Sequence, residues 1–468
     1  MFLHDLSEWS TRSGFFRFNY NYKEKYLLEV VNRYDGSSKF RKDSRFVYLP
    51  SASLGWRVSE ESFMDWSDSF LDNLKLRASY GIQGNQSISP YAFIPTYGTG
   101  LSNWIVAGKK AVTITPRGIV NDNFTWEEVK NLNLGVDLGL FSNRLTSTFE
   151  WYSRKTEGML MPGEVLPGVL GTSVPKENAA DLRVNGWELS VNWNDQIGDF
   201  SYNVGFNLYD YRTKIVKFAN PTGLYTSNYE GQYLGEIWGY ETDRFFTEDD
   251  FIVDSEGNRK YKDGIPNQDI ITGNRVPMPG DVKYKDLNND GKIDYGNNTL
   301  ENPGDKRIIG NSSPRYQFGV NMGAQYKGFD MSLFFQGVGK RDLWISNSLI
   351  FAFSESYESL FKHTMDFWTP ENTDAYYPRP IADWAWNRQV QTKYLQNAAY
   401  VRLKNLTIGY SLPKSLLSKL YLSKLRLFVS AENLLTFTPL PKGIDPEIGG
   451  SHTYPFAKEI SFGVDIKF

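Results

Sequence analysis

Apolar and polar residues alternate along most of the chain. From Ile460 onward, Ile460, Phe462, Val464, Ile466 and Phe468 share one parity, and Ser461, Gly463, Asp465 and Lys467 share the other. Successive side chains of a β-strand point to opposite faces, so this spacing predicts a strand with one apolar and one polar face. The same alternation runs through residues 316–324, 200–208, 74–80 and 16–22. It predicts about thirteen strands, near 14–22, 25–35, 44–58, 72–82, 131–141, 143–155, 183–196, 199–212, 313–326, 328–341, 398–411, 423–435 and 456–468. Globular strands average about 5–6 residues, whereas a tilted membrane-spanning strand needs about 9–11. Most of these segments have the second length. In the 398–411 segment the apolar parity flips at Lys404–Asn405, which predicts a one-residue bulge.

The connections alternate as well. Tyr22 to Lys25, Phe141 to Asn143, Asn194 to Asp199 and Lys327 to Phe329 are tight turns. Between them lie long excursions at 83–130, 156–182, 213–312, 342–397 and 436–455, with looser short-class segments at 59–71 and 412–422. Up-and-down membrane barrels have short turns on the periplasmic side and long loops outside. A compact soluble domain rarely holds structureless loops of this size. The expected fold is all-β: an antiparallel up-and-down transmembrane β-barrel. Its polar face (Arg17, Asn19, Lys75, Arg77, Asn203, Asn207, Gln317, Asn321, Asp465, Lys467) would line the lumen.

Composition narrows the chemistry. The 468 residues carry 51 Lys+Arg against 54 Asp+Glu, which lacks the basic footprint of a nucleic-acid binder. There is no cysteine, so there are no disulfides, thiolate metal sites or cysteine nucleophile. His4, His363 and His452 are far apart and in no metal-ligand spacing, and no catalytic constellation is legible. No 18-residue apolar run marks a helical span. Residues 1–16 lack the charged and apolar regions of a signal peptide.

Three motifs stand out. Asp286, Asn288, Asp290 and Asp294 occupy positions 1, 3, 5 and 9 of a loop with Gly291 at position 6, matching the start of a calcium loop in which Lys292 contributes its backbone carbonyl. The twelfth position is Asn297 rather than Glu, and a polar turn without metal uses the same residue types. Aromatics populate the long connections: Trp104, Tyr233, Trp238, Tyr240, Trp344, Trp368, Tyr376, Tyr377, Trp384 and Trp386. Flat rings of this kind stack on sugars or peptide side chains. They also form interfacial girdles and loop cores. The substrate-facing candidates are Trp104, Trp238, Tyr240, Trp344, Trp384 and Trp386. Finally, Ser461, Gly463, Ile466 and Phe468 resemble the C-terminal signal read by the barrel assembly machinery.

Several blocks resemble the C-terminal part of SusC/RagA-like TonB-dependent outer-membrane transporters. They are 19–35 with 36–40, 48–58 (YLPSASLGWRV), 74–86 (LKLRASYGIQGNQ), 185–193 (NGWELSVNW), 235–243 (GEIWGYETD), 397–410 (NAAYVRLKNLTIGY) and 431–446 (AENLLTFTPLPKGIDP). The resemblance implies a barrel of about twenty-two strands, residues 1–468 forming its C-terminal portion with 213–312 as a long extracellular loop. Signal peptide, TonB box, plug domain and the first barrel strands are not legible in this sequence, which would then be either a fragment of a longer gene product or the product of a truncated gene. It also implies import of an oligosaccharide, glycan or peptide, with a SusD-like surface lipoprotein over the loops and the TonB complex acting on the plug. Outer-membrane lipid would surround the strands. Asp305, standing just before Lys306-Arg307-Ile308-Ile309-Gly310, would then close a structural calcium site. The competing readings are a soluble, secreted, carbohydrate-binding β-protein and a passive porin-type barrel.

Overall fold

The computed structural model describes residues 7–95, 97–115, 119–121, 124–163, 167, 169, 174–351, 361–381, 386–450 and 454–468. Thirteen strands form one sheet in strict chain order. They are Thr11–Tyr22, Tyr26–Ser37, Phe46–Arg57, Leu71–Asn85, Glu127–Leu140, Leu145–Pro162, Lys176–Ile197, Phe200–Lys217, Arg315–Tyr326, Phe329–Lys340, Tyr400–Ser411, Lys424–Phe437 and Glu459–Lys467. The pairings are antiparallel, for example Phe16 with Asn32 and Val320 with Phe335. Each of the thirteen segments expected from alternation is a strand. Several run further, as Leu145–Pro162 and Lys176–Ile197 do, and others stop short of the expected ends, as Phe46–Arg57 and Glu459–Lys467 do.

The tight turns have the backbone that two-stranded hairpins require. Lys327 and Gly328 both have positive φ (45° and 90°) between Tyr326 and Phe329. Consecutive positive-φ residues give a turn whose twist matches that of the flanking strands. Lys23 and Glu24 do the same at the first hairpin (51° and 57°), where the Lys25 amide donates to the Tyr22 carbonyl at 3.0 Å. The bulge is where the parity flip puts it. Leu403 pairs with Phe335 and Asn405 with Phe334, leaving Lys404 unpaired. Val401, Leu403, Leu406, Ile408 and Tyr410 are thereby kept on one face.

By internal contacts the chain divides into two compact units: residues 1–191, 211–222 and 227–233, and residues 192–210, 223–226 and 234–468. Each has its own apolar cluster, built from connections and strand ends rather than beneath the sheet. In the first, Phe40, Val47, Leu49, Ile88, Phe124 and Trp126 pack together. In the second, a larger cluster includes Tyr240, Val282, Tyr284, Ile293, Ile345, Ile350, Phe351, Tyr394 and Ile444.

The apolar strand face, by contrast, is bare. Phe462 is 81% and Val464 57% exposed, and Phe16, Phe18, Leu54, Tyr80, Leu134 and Ile408 are exposed with them. A sandwich would bury this parity. No helix among the described residues is long and apolar enough to cross a membrane, which leaves strand spans untouched.

Candidate functional site

On the polar face, strand pairing converts sequence parity into charge networks. Arg77 stands opposite Gly135, and a Cβ there would lie 2.7 Å from the guanidinium carbon. The missing side chain lets the guanidinium lie flat across the neighbouring strand. It reaches Asp137 through Nε and Glu150 through Nη1, each at 2.9 Å. Lys130 pairs with Glu157, Arg17 with Glu29 and Arg426 with Asp330. Single exposed ion pairs contribute about 0–1 kcal/mol each. Their main effect here is to hold the long charged side chains in place along the face.

The calcium-like loop is folded on its own backbone. The Asp286 carboxylate accepts from the Asn289 amide at 2.6 Å and the Gly291 amide at 2.8 Å. Gly291 has φ +79° with open space around its Cβ position, so glycine is required there by conformation, not crowding. Asn288 accepts from the Asp290 amide, Asp290 from the Lys292 amide, and Asp294 from the Gly296 amide. Asp305 has no exposed surface and closes the loop from behind. It accepts from the Leu287 amide at 2.7 Å and the Asp294 amide at 2.8 Å. Burial raises its pKa above the ordinary 3.8, and the nearby Asp286 and Asp294 charges add to the rise. Among the described residues none of Asp286, Asp290, Asp294 or Asp305 has a Lys or Arg partner, and no three acidic or histidine side chains converge in metal-binding geometry.

The aromatic candidates separate by exposure. Trp104 is 81% exposed on the hairpin formed by Gly98–Val106 and Lys109–Thr115, which alternation did not reveal. Tyr240 is 1% exposed and Trp386 is also buried, so neither presents an open ring face. Trp238 stacks on Tyr225 at 4.7 Å, and Trp344 packs on Phe351 at 5.7 Å. Trp368 is half-buried against the same cluster, with Tyr377 buried inside it. Tyr376 and Tyr233 are partly exposed. Trp384, like His4 and His452, lies outside the described residues. The sequence could not separate these rings, because a long connection with its own core spends its aromatics as a small globular domain does.

At the end of the chain, Ser461 pairs with Ser430 and Gly463 with Phe428. A Cβ on Gly463 would meet the Phe428 ring at 2.2 Å, so the ring occupies the place of a side chain. Ile466 and Phe468 face outward, Phe468 at 91% exposure.

The model of the family described as TonB dependent receptor-like, beta-barrel matches residues 6–434. A TonB-dependent receptor of Formosa agariphila, P3, is 33% identical over 99% of this chain and 46% of its own length. TonB-dependent receptor SusC of Bacteroides thetaiotaomicron is 26% identical over 100% of this chain and 45% of its own. The RagAB peptide importer in its open-open state superposes with a TM-score of 0.75 at 23% identity, covering 99% of this chain and 47% of that one. The chain thus spans about half the length of the curated relatives it matches. With the strand order and the bare apolar face, these matches show that the chain belongs to the TonB-dependent receptor-like β-barrel family and is part of an outer-membrane barrel.

Proposed function

We propose that this chain supplies the C-terminal barrel strands and long loops of an outer-membrane importer of oligosaccharides or peptides. The observation that carries the reading is the pairing of a bare apolar strand face with a polar face laced by ion pairs: lipid on one side, a hydrated lumen on the other. The RagAB relative, a peptide importer, supports the substrate class, and the SusC relative supports a SusC-type system. The TonB complex would drive transport through the part of the polypeptide outside this chain, and a SusD-like lipoprotein would cover the long loops. The test is uptake of fluorescent oligosaccharide and peptide pools by cells carrying the full-length gene. Uptake is expected to stop when TonB is deleted. Uptake that survives the deletion would favour the passive porin reading.

We propose calcium as a structural ion of the 286–305 loop on the chemistry of its donors, although no three of its acidic side chains converge among the described residues. Asp286, Asn288, Asp290, Asp294 and Asp305 offer oxygen only, with the Lys292 carbonyl, and oxygen-only sets suit hard cations rather than zinc. The fit rests on the fully buried Asp305, whose charge has no basic partner among the described residues. Without metal, Asp305 has a raised pKa in the folded loop. Its contribution to stability is therefore full below about pH 3.8 and is lost as pH rises through the folded value. Bound calcium favours the ionised form and reverses that trend. Amide-exchange protection of 286–305, corrected for intrinsic rates, is expected to fall with rising pH in chelator and to rise with pH in millimolar calcium. Identical profiles would remove the metal.

The last strand yields a further expectation. Phe468→Ala, or loss of residues 466–468, should lower the amount of heat-modifiable barrel in outer-membrane fractions. Wild-type amounts would show that the terminal pattern is a strand edge and no assembly signal.

A further inference from the structure

We propose that the polar face of the first unit holds a carboxylate-binding subsite centred on Lys75. The proposal rests on the transporter reading above. A cavity of about 490 Å³ opens on this face, with Asn19, Asn21, Glu29, Ser53, Lys75 and Asn133 among its lining residues.

The charges around this cavity are committed, with one exception. Glu29 is held by Arg17, and Arg77 is held by Asp137 and Glu150. Asp137 is the cross-strand neighbour of Lys75, yet it pairs with Arg77 and accepts from the Thr148 hydroxyl at 3.1 Å. Lys75 itself has no ion pair and no hydrogen bond among the described residues. Room for it is built in: a Cβ on Gly55 would sit 3.2 Å from Lys75 Cε and 3.4 Å from the Leu27 side chain. Glycine at 55 leaves the lysine stem a bed across the neighbouring strand.

One uncommitted ammonium among neutral amides and hydroxyls matches a singly charged anion flanked by hydrogen-bonding groups. A carboxylate with hydroxyl or amide neighbours has that chemistry. A doubly charged phosphate would need a second cation, and Arg77 is already held by Asp137 and Glu150. The carboxylate has two possible sources: an acidic solute in the lumen, or an Asp or Glu from the part of the polypeptide outside this chain.

The test uses the full-length transporter purified in detergent, its lysines reductively methylated with ¹³C. The Lys75 resonance is identified by its loss in Lys75→Arg. A carboxylate in contact should raise the pH midpoint of this amine by about one unit or more. A rise in the protein alone assigns the carboxylate to the polypeptide. A rise only on adding trigalacturonate or triglutamate assigns it to solute. A midpoint that stays at that of free lysine in all three conditions overturns the subsite, as does an equal shift with neutral maltotriose. TonB-dependent uptake is measured separately, so failure of the import reading would be seen independently of the Lys75 resonance.

Discussion

Val464→Arg is expected to destabilise the barrel by about 2–4 kcal/mol if its place in the Glu459–Lys467 strand falls near the bilayer midplane. Val464 sits on the bare parity beside Leu427, with no protein over it. The cost arises because the guanidinium must leave water for hydrocarbon or drag water in with it. Phe318→Arg tests the same face on the Arg315–Tyr326 strand, where the Phe318 ring lies over Gly337. Asn321→Arg is the control. It lies on the polar parity of that strand, opposite Gly205 and Phe334, where an added cation stays hydrated. Denaturant unfolding of the full-length protein in lipid vesicles would measure all three. Equal losses on both parities would mean that the apolar face does not meet lipid.

The strands were legible because one rule governs them throughout. A span of this length must repeat its alternation four or five times, and the signal accumulates with each repeat. Even the Lys404 bulge left a trace, since it shifts parity for the rest of the strand. The polar-face networks were legible only as residue types. Arg77, Asp137 and Glu150 sit on three adjacent strands, and nothing local in the sequence states the register that brings them within 2.9 Å. Lys75 is harder still: it is distinguished by a neighbour, Asp137, that pairs elsewhere. The calcium-like loop was legible as a turn, because Asp and Asn side chains bond the backbone a few residues on. Asp305, remote in sequence, came from the resemblance, and the structure brings its carboxyl to the Leu287 and Asp294 amides. The long-loop aromatics were the least legible. Trp104 and Tyr240 are equivalent as residues in a loop, yet one is almost fully exposed and the other almost fully buried. The short Ser37–Phe46 connection breaks the rule of length. It falls on the same side as the long excursions, so the sorting of turns by parity concerns position in the meander and not length alone.

Tyr284→Ala should open the core of the second unit's long connections, at a local cost of about 3–5 kcal/mol, the range for truncating a buried aromatic ring. Tyr284 lies in the short Val282–Tyr284 strand, whose three residues are all buried. Its ring packs against Tyr240 at a centroid distance of 5.0 Å. Its hydroxyl donates to the Trp386 carbonyl and accepts from Gln391 Nε2 at 3.2 Å. Its backbone amide donates to Gln268 Oε1 at 2.7 Å. The side chain therefore joins segments near 240, 284 and 386–391 that are far apart in sequence, and the backbone amide adds the segment near 268. Burial pushes the hydroxyl pKa well above 10, so it stays a donor across the accessible pH range. Tyr284→Phe keeps the ring and removes only the hydroxyl, leaving the buried Trp386 carbonyl without that donor. Its expected cost is smaller, about 1–3 kcal/mol. Amide exchange across 236–311 and 386–397 in the intact barrel would report both variants. Tyr284→Ala should speed exchange in both segments together while the thirteen long strands keep their protection. The strand ladder is held by its own hydrogen bonds, and the loop core is a separate apolar cluster. Loss of protection confined to 282–284 would show that the connections fold piece by piece, without the shared core that Tyr284 joins.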